Sequence, residues 1–184
     1  MVREITQRIN LMSGLKVKKF RPIWTKLKKN LTEEDLKFFY EIVDIDGTCG
    51  RVISFTTRDL NPRYMEHWFA VCRCHWNVIF PCWLLNGRSI SGKYKIITSD
   101  KHSAIINTET QEVYDPTYAV RNGESSTEGM LAGYEIVDLI LHSVHVDQSI
   151  FKRIVDMLSV EDRKIALDII SKHVESLKVK PDII

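Results

Sequence analysis

Hydrophobic spacing along the chain changes from helical to strand-like and back. Behind Thr32 as an N-cap and the acids Glu33, Glu34 and Asp35, the residues Leu36, Phe39, Tyr40 and Val43 fall on one helical face. They predict a helix of about eleven residues that closes at the Asp46-Gly47 turn. Arg51–Phe55 reads as a short strand, and Asn61-Pro62 opens a helix that runs through Arg63–Val71. A second helical stretch covers Cys74 to Phe80, with Pro81 ending or kinking it. After the Asn86-Gly87 turn the period becomes two. Lys93–Thr98, His102–Asn107 and Glu112–Asp115 read as three successive strands of an antiparallel meander. A polar loop, Arg121–Thr127, leads to helices over about 128–141, over Asp147–Leu158, and from a cap at Ser159–Asp162 to about Leu177. Helices before and after a small antiparallel sheet make the expected fold class α+β.

The hairpin allows a geometric prediction. If Ile106 pairs with Val113, Ala104 lies opposite Asp115 and His102 sits on the same face, one diagonal step away. Diagonal neighbours are about 7–8 Å apart at Cα, within reach of an imidazole-to-carboxylate hydrogen bond. A slip of one residue places Ser103 opposite Asp115 and turns His102 to the other face, so the pairing depends on register. A histidine oriented by a carboxylate is two thirds of a nucleophilic triad. Cys74 supplies the third member, because it stands where a helix begins and a thiol there meets the positive end of the helix dipole.

Composition narrows the function classes. With 184 residues, 44% hydrophobic and 27% charged, the chain is ordinary globular material for one domain with an appendage. Its most apolar stretch, Val78–Leu85, is far short of the roughly 20 residues a bilayer crossing needs. No apolar secretory leader follows Met1, so the expected location is cytoplasmic and Cys49, Cys72, Cys74 and Cys82 are expected to be thiols. Residues 1–30 hold nine Lys/Arg against the single acid Glu4, a charge of +8 on a chain whose net charge is +2. The expected organisation is therefore a basic arm over 1–30 and a single α+β domain over 31–184, with a helical cap over about 128–178.

Cys74-His75-Trp76-Asn77-Val78, the strand Tyr94–Ile97, His102-Ser103-Ala104-Ile105 and Val113-Tyr114-Asp115-Pro116-Thr117 together resemble the Cys-x-x-Asn, strand, His, Asp-Pro-Thr pattern of transglutaminase-like proteins. These belong to the wider papain-like cysteine hydrolase group, and the resemblance covers about residues 72–118. It implies a cysteine-bearing helix packed against a small antiparallel sheet that carries the other two residues. Cys74 then matches the nucleophile, His102 the base, Asp115 the residue that orients it, and Asn77 a supporting position just inside the cysteine helix. Ala104 stands where an aromatic is common, Val78 replaces the usual Ala, and no upstream Gln offers itself as an oxyanion donor.

The expected function is thus a thiol-dependent hydrolase or acyltransferase acting on an amide or acyl bond of a protein or peptide-like substrate, without a cofactor. Two alternatives compete with it. A non-catalytic protein on the same fold would bind nucleic acid through Lys16, Lys18, Lys19, Lys26, Lys28 and Lys29, or a protein through its terminal helices. A zinc module would use Cys72, Cys74, His75, His102, His142 and His145.

Overall fold

A computed structural model describes residues 15–46, 73–119, 131 and 133–178. The expected strand Arg51–Phe55, the helix from Asn61-Pro62, the loop Arg121–Thr127, and Cys49, Cys72, His67 and Trp68 lie outside the described residues.

The fold is α+β. In chain order the elements are β1 (Lys16–Lys18), α1 (Phe20–Lys28), α2 (Glu33–Asp46), α3 (Cys74–Asn77), α4 (Ile79–Leu85), β2 (Tyr94–Thr98), β3 (Ser103–Asn107), β4 (Glu112–Tyr114), α5 (Pro116–Ala119), β5 (Glu135–Val137), α6 (Leu139–Val146), α7 (Gln148–Met157) and α8 (Val160–Lys178). The five strands form one sheet in the order β1-β4-β3-β2-β5. Only β1 runs parallel to its neighbour; the other pairs are antiparallel. The β3–β4 hairpin adopts the expected register, with Ile106 opposite Val113 and Ile105 opposite Tyr114.

Period two fixes which side chains face where. Ile96 and Ile105 enter the helical core with Ile79, Phe80 and Leu139, whereas Ile97, Ala104, Ile106 and Val113 pack on the opposite face with Leu131 and Tyr134. Both faces are covered, so every residue of β3 is buried.

The basic segment is partly built into this body. Val17 turns inward on edge strand β1 while Lys16 and Lys18 face outward, where lysines discourage pairing with a further strand. Along α1, Phe20 and Trp24 are buried and Lys26 and Lys28 occupy the last turn, the favourable end of the dipole for cations. Phe80 joins α1 to the rest. Its ring centroid lies 6.5 Å from Trp24, 5.9 Å from Phe38 and 5.1 Å from Phe39.

Helix α2 starts as its sequence requires. Thr32 Oγ1 accepts the Asp35 N–H at 3.1 Å, and Asp35 Oδ2 accepts the Thr32 N–H at 2.7 Å, a reciprocal cap. Arg88 Nε and Nη2 then donate to the two oxygens of buried Asp35, at 2.8 and 2.5 Å. Leu36, Phe39 and Tyr40 are buried as expected, and so are Phe38 and Ile42; Val43 lies beyond the described side chains.

Two expectations need correction. Pro81 does not end the helical stretch that begins at Cys74: the ladder breaks at Val78, and Pro81 sits in the first turn of α4. A proline there needs no N–H of its own but cannot serve the carbonyl of Asn77 four residues back, so the interruption falls upstream of it. The stretch 128–141 is not one helix either. Glu135–Val137 forms β5, pairing with β2, and α6 begins only at Leu139. Its apolar spacing suits a strand edge as well as a helix, and the free edge of β2 decides it. Helices α7 and α8 match expectation, capped by Asp147 and Ser159. Ile150, Ile154 and Leu158 enter the core, whereas Ile165 and Leu167 are exposed. No helix among the described residues is long and apolar enough to cross a membrane.

If α1 is part of the body, Trp24→Ala should cost about 3–5 kcal/mol of unfolding free energy, the usual penalty for emptying a buried indole site. Urea denaturation of the two proteins measures it, with a lower midpoint expected for the variant.

Candidate active site

Three elements deliver the candidate side chains to one place. Cys74 is the first residue of α3, His102 immediately precedes β3, and Asp115 immediately follows β4. The hairpin register sets the last two beside each other, and the His102 Nε2–H donates to Asp115 Oδ2 at 2.6 Å. His102 also makes a hydrogen bond with the Cys74 thiol. Since Nε2 is taken by Asp115, the ring meets the sulfur through Nδ1. The Cys74 Sγ–H points to the carbonyl of Lys101 at 3.8 Å.

The carboxylate is itself held. Its Oδ1 accepts the Thr117 N–H at 2.9 Å, so Asp115 caps α5 while its other oxygen orients His102. Thr117 Oγ1 accepts from Asn77 Nδ2 at 2.8 Å. Asn77 thereby ties the cysteine helix to the turn that carries Asp115, and all three groups of this tie are buried. Thr117 was not singled out from the sequence, although the Asp-Pro-Thr order puts its N–H where an Asp side chain caps a helix.

Electrostatics follow from this packing. Burial alone disfavours the charged imidazolium of His102; against it, its hydrogen bonds to Asp115 and Cys74 and their negative charge lift its pKa to about 9. Cys82 differs. It is fully buried with its thiol against the Tyr94 carbonyl at 3.6 Å, and burial, with the charge of Asp138, pushes that thiol far up. Cys74 keeps 8% of its surface exposed, against 0% for Cys82.

The turn between β2 and β3 shapes the approach to the sulfur. Ser99 Oγ accepts the N–H of both Lys101 and His102 at 3.2 Å, and the Ser99 N–H donates to the His102 carbonyl at 2.8 Å. Behind it, His75 Nδ1, Ser103 Oγ and Thr98 Oγ1 form a chain with 2.6 Å links. His142, buried on α6, donates its Nε2–H to the His75 carbonyl at 2.7 Å and so fixes α3 from the other side. Among the described residues no group of three or more His, Cys, Asp or Glu is placed to hold a metal ion. Three members of the zinc alternative have other partners: His142 bonds a carbonyl, His102 a carboxylate, and His75 a hydroxyl.

Burial holds His142 uncharged; with the nearby His75 and His145 it outweighs the carbonyl bond, and the pKa falls to about 4. The unfolded chain takes up that proton near 6.5 and the folded chain only near 4, so stability falls as pH drops through this window. The expected loss is on the order of 3 kcal/mol. Urea midpoints from pH 7 to pH 4 measure it, and His142→Gln should flatten this part of the curve. The chain matches no family model, and no curated protein or solved structure matches it significantly.

Proposed function

We propose that the protein is a thiol-dependent enzyme that attacks an amide or related acyl bond, with Cys74 as nucleophile, His102 as general base and Asp115 as the residue that orients it. The observation that carries this reading is the buried relay from Asp115 through His102 to Cys74, at the start of a helix. A structural role alone does not call for a thiol at the end of such a relay.

The chemistry runs in two halves. With its pKa raised to about 9, His102 already holds at neutral pH, on Nδ1, the proton given up by Cys74, and the sulfur attacks the carbonyl carbon. The leaving amine departs with the proton that His102 returns, and an acyl-thioester remains on Cys74. Water or an amine then attacks that thioester, gives its proton to His102 and releases the acid or a new amide, which restores the starting pair. The backbone N–H of Cys74 is one of the first in α3 and has no acceptor within the helix, which suits it to the developing oxyanion. Hydrolysis, deamidation and acyl transfer share the first half.

A second reading, an anionic polymer bound by the lysines, draws on the exposure of Lys16, Lys18, Lys19, Lys26 and Lys29. It is the weaker one, because edge protection, the helix dipole and the Lys18–Glu112 pair at 3.6 Å already account for several of these residues.

Incubation with p-nitrophenyl acetate tests the enzyme reading. One acetyl group should appear on Cys74 and none on Cys82, and fragment spectra separate the two because they share a tryptic peptide that starts just after Arg73. His102→Ala should slow acetylation by about 10²-fold or more, and Asn77→Ala, which removes the tie to Thr117, by about tenfold. Equal acetylation of both cysteines, or none at Cys74, contradicts the proposal.

A further inference from the structure

A half-open cavity of about 540 Å³ adjoins the triad without containing any of its three residues. That volume suits an amino-acid side chain with part of its backbone. It is lined by His75 and Trp76 of the cysteine helix, Asp100 at the β2–β3 turn, Glu135 of β5, and His142 and His145 of α6. The turn between β2 and β3 touches both cavity and sulfur. Asp100 lines the cavity, while the carbonyl of the next residue, Lys101, meets Cys74 and the residue after that is His102. Cavity and thiol are thus reached from neighbouring residues of one turn.

The lining is negative. Asp100 and Glu135 contribute carboxylates, and no Lys or Arg lines the space. Neither carboxylate has an ion-pair partner among the described residues, and nearby Lys95 is engaged by Asp138 at 3.1 Å. Two of the three lining histidines are held toward the neutral form. Burial and the charge of His102 hold His75 below its ordinary value, and burial holds His142 near 4. Trp76 adds an indole to the lining. Two carboxylates and an indole in one lining favour a planar cation, because a guanidinium can stack on an aromatic ring and donate N–H groups to carboxylates.

We propose that this cavity binds the guanidinium of an arginine side chain next to the bond that Cys74 attacks, as a recognition handle that takes no part in the reaction. The inference rests on the thiol-enzyme reading for its role and on the cavity for its chemistry.

Binding to the full-length Cys74→Ala protein, followed by amide chemical shifts, isolates the second part. Nα-acetyl-arginine amide should shift Asp100, Gly133 and Glu135, and Nα-acetyl-citrulline amide, its uncharged near-isostere, should bind about tenfold more weakly. Asp100→Asn with Glu135→Gln, two exposed positions, should remove the difference while the spectrum keeps its dispersion. Equal binding of the two amides, shifts elsewhere, or no binding at millimolar ligand overturns the proposal. A parallel acylation of the wild type with the corresponding nitrophenyl esters separates the two claims. Arginine binding without acylation of Cys74 upholds the cavity and removes the enzyme; acylation without preference for arginine overturns the cavity alone.

Discussion

The hydrogen bond between His102 and Asp115 is the interaction on which the site depends, and it exists because of a register. With Ile106 opposite Val113, the residues just beyond the paired strands meet at a 2.6 Å contact. A one-residue slip would turn His102 to the other face and exchange the side chains that β3 sends to its two packed sides. The burial that packs β3 therefore also selects the geometry of the imidazole. Because both partners are almost fully buried, breaking the pair would strand a carboxylate in the interior, a larger penalty than the bond itself contributes.

A second constraint joins the two halves of the site. Cys74 is on a helix and the other two groups are on the sheet, so their meeting depends on how α3 is seated. Asn77 fixes it through Thr117, His75 through Ser103, and His142 by holding the carbonyl of His75. The break at Val78 lets α3 point its first residue at His102 while α4 continues into the aromatic core around Phe80. The turn from Ser99 to His102 serves both sides, presenting Asp100 to the cavity and a carbonyl to the thiol.

The residues of this arrangement were legible to different degrees. The meander could be read from its short apolar runs and turns; the His102–Asp115 pairing followed only from the assumption that Ile106 lies opposite Val113, which is the register found. The cap at Thr32 and the helices after Asp147 were legible for a similar local reason: their signals lie within one turn of the helix start. Strand β1 was not, since three residues with a single inward side chain carry no periodicity and its pairing partner lies nearly a hundred positions away. Strand β5 was read as helix because its identity comes from the edge of β2, not from its own residues. Thr117, Ser99 and Ser103 escaped attention because their roles lie in hydrogen bonds between segments, which no single stretch of sequence displays.

The central claim is that thiol, imidazole and carboxylate form one electrostatic unit. A pH titration of the His102 ring by nitrogen-15 NMR tests it most directly. The account predicts a midpoint near 9 in the wild-type protein and a clear fall in Cys74→Ala, where the sulfur's contribution is gone. A midpoint at the ordinary value of 6.5, unmoved by loss of the sulfur, would contradict it.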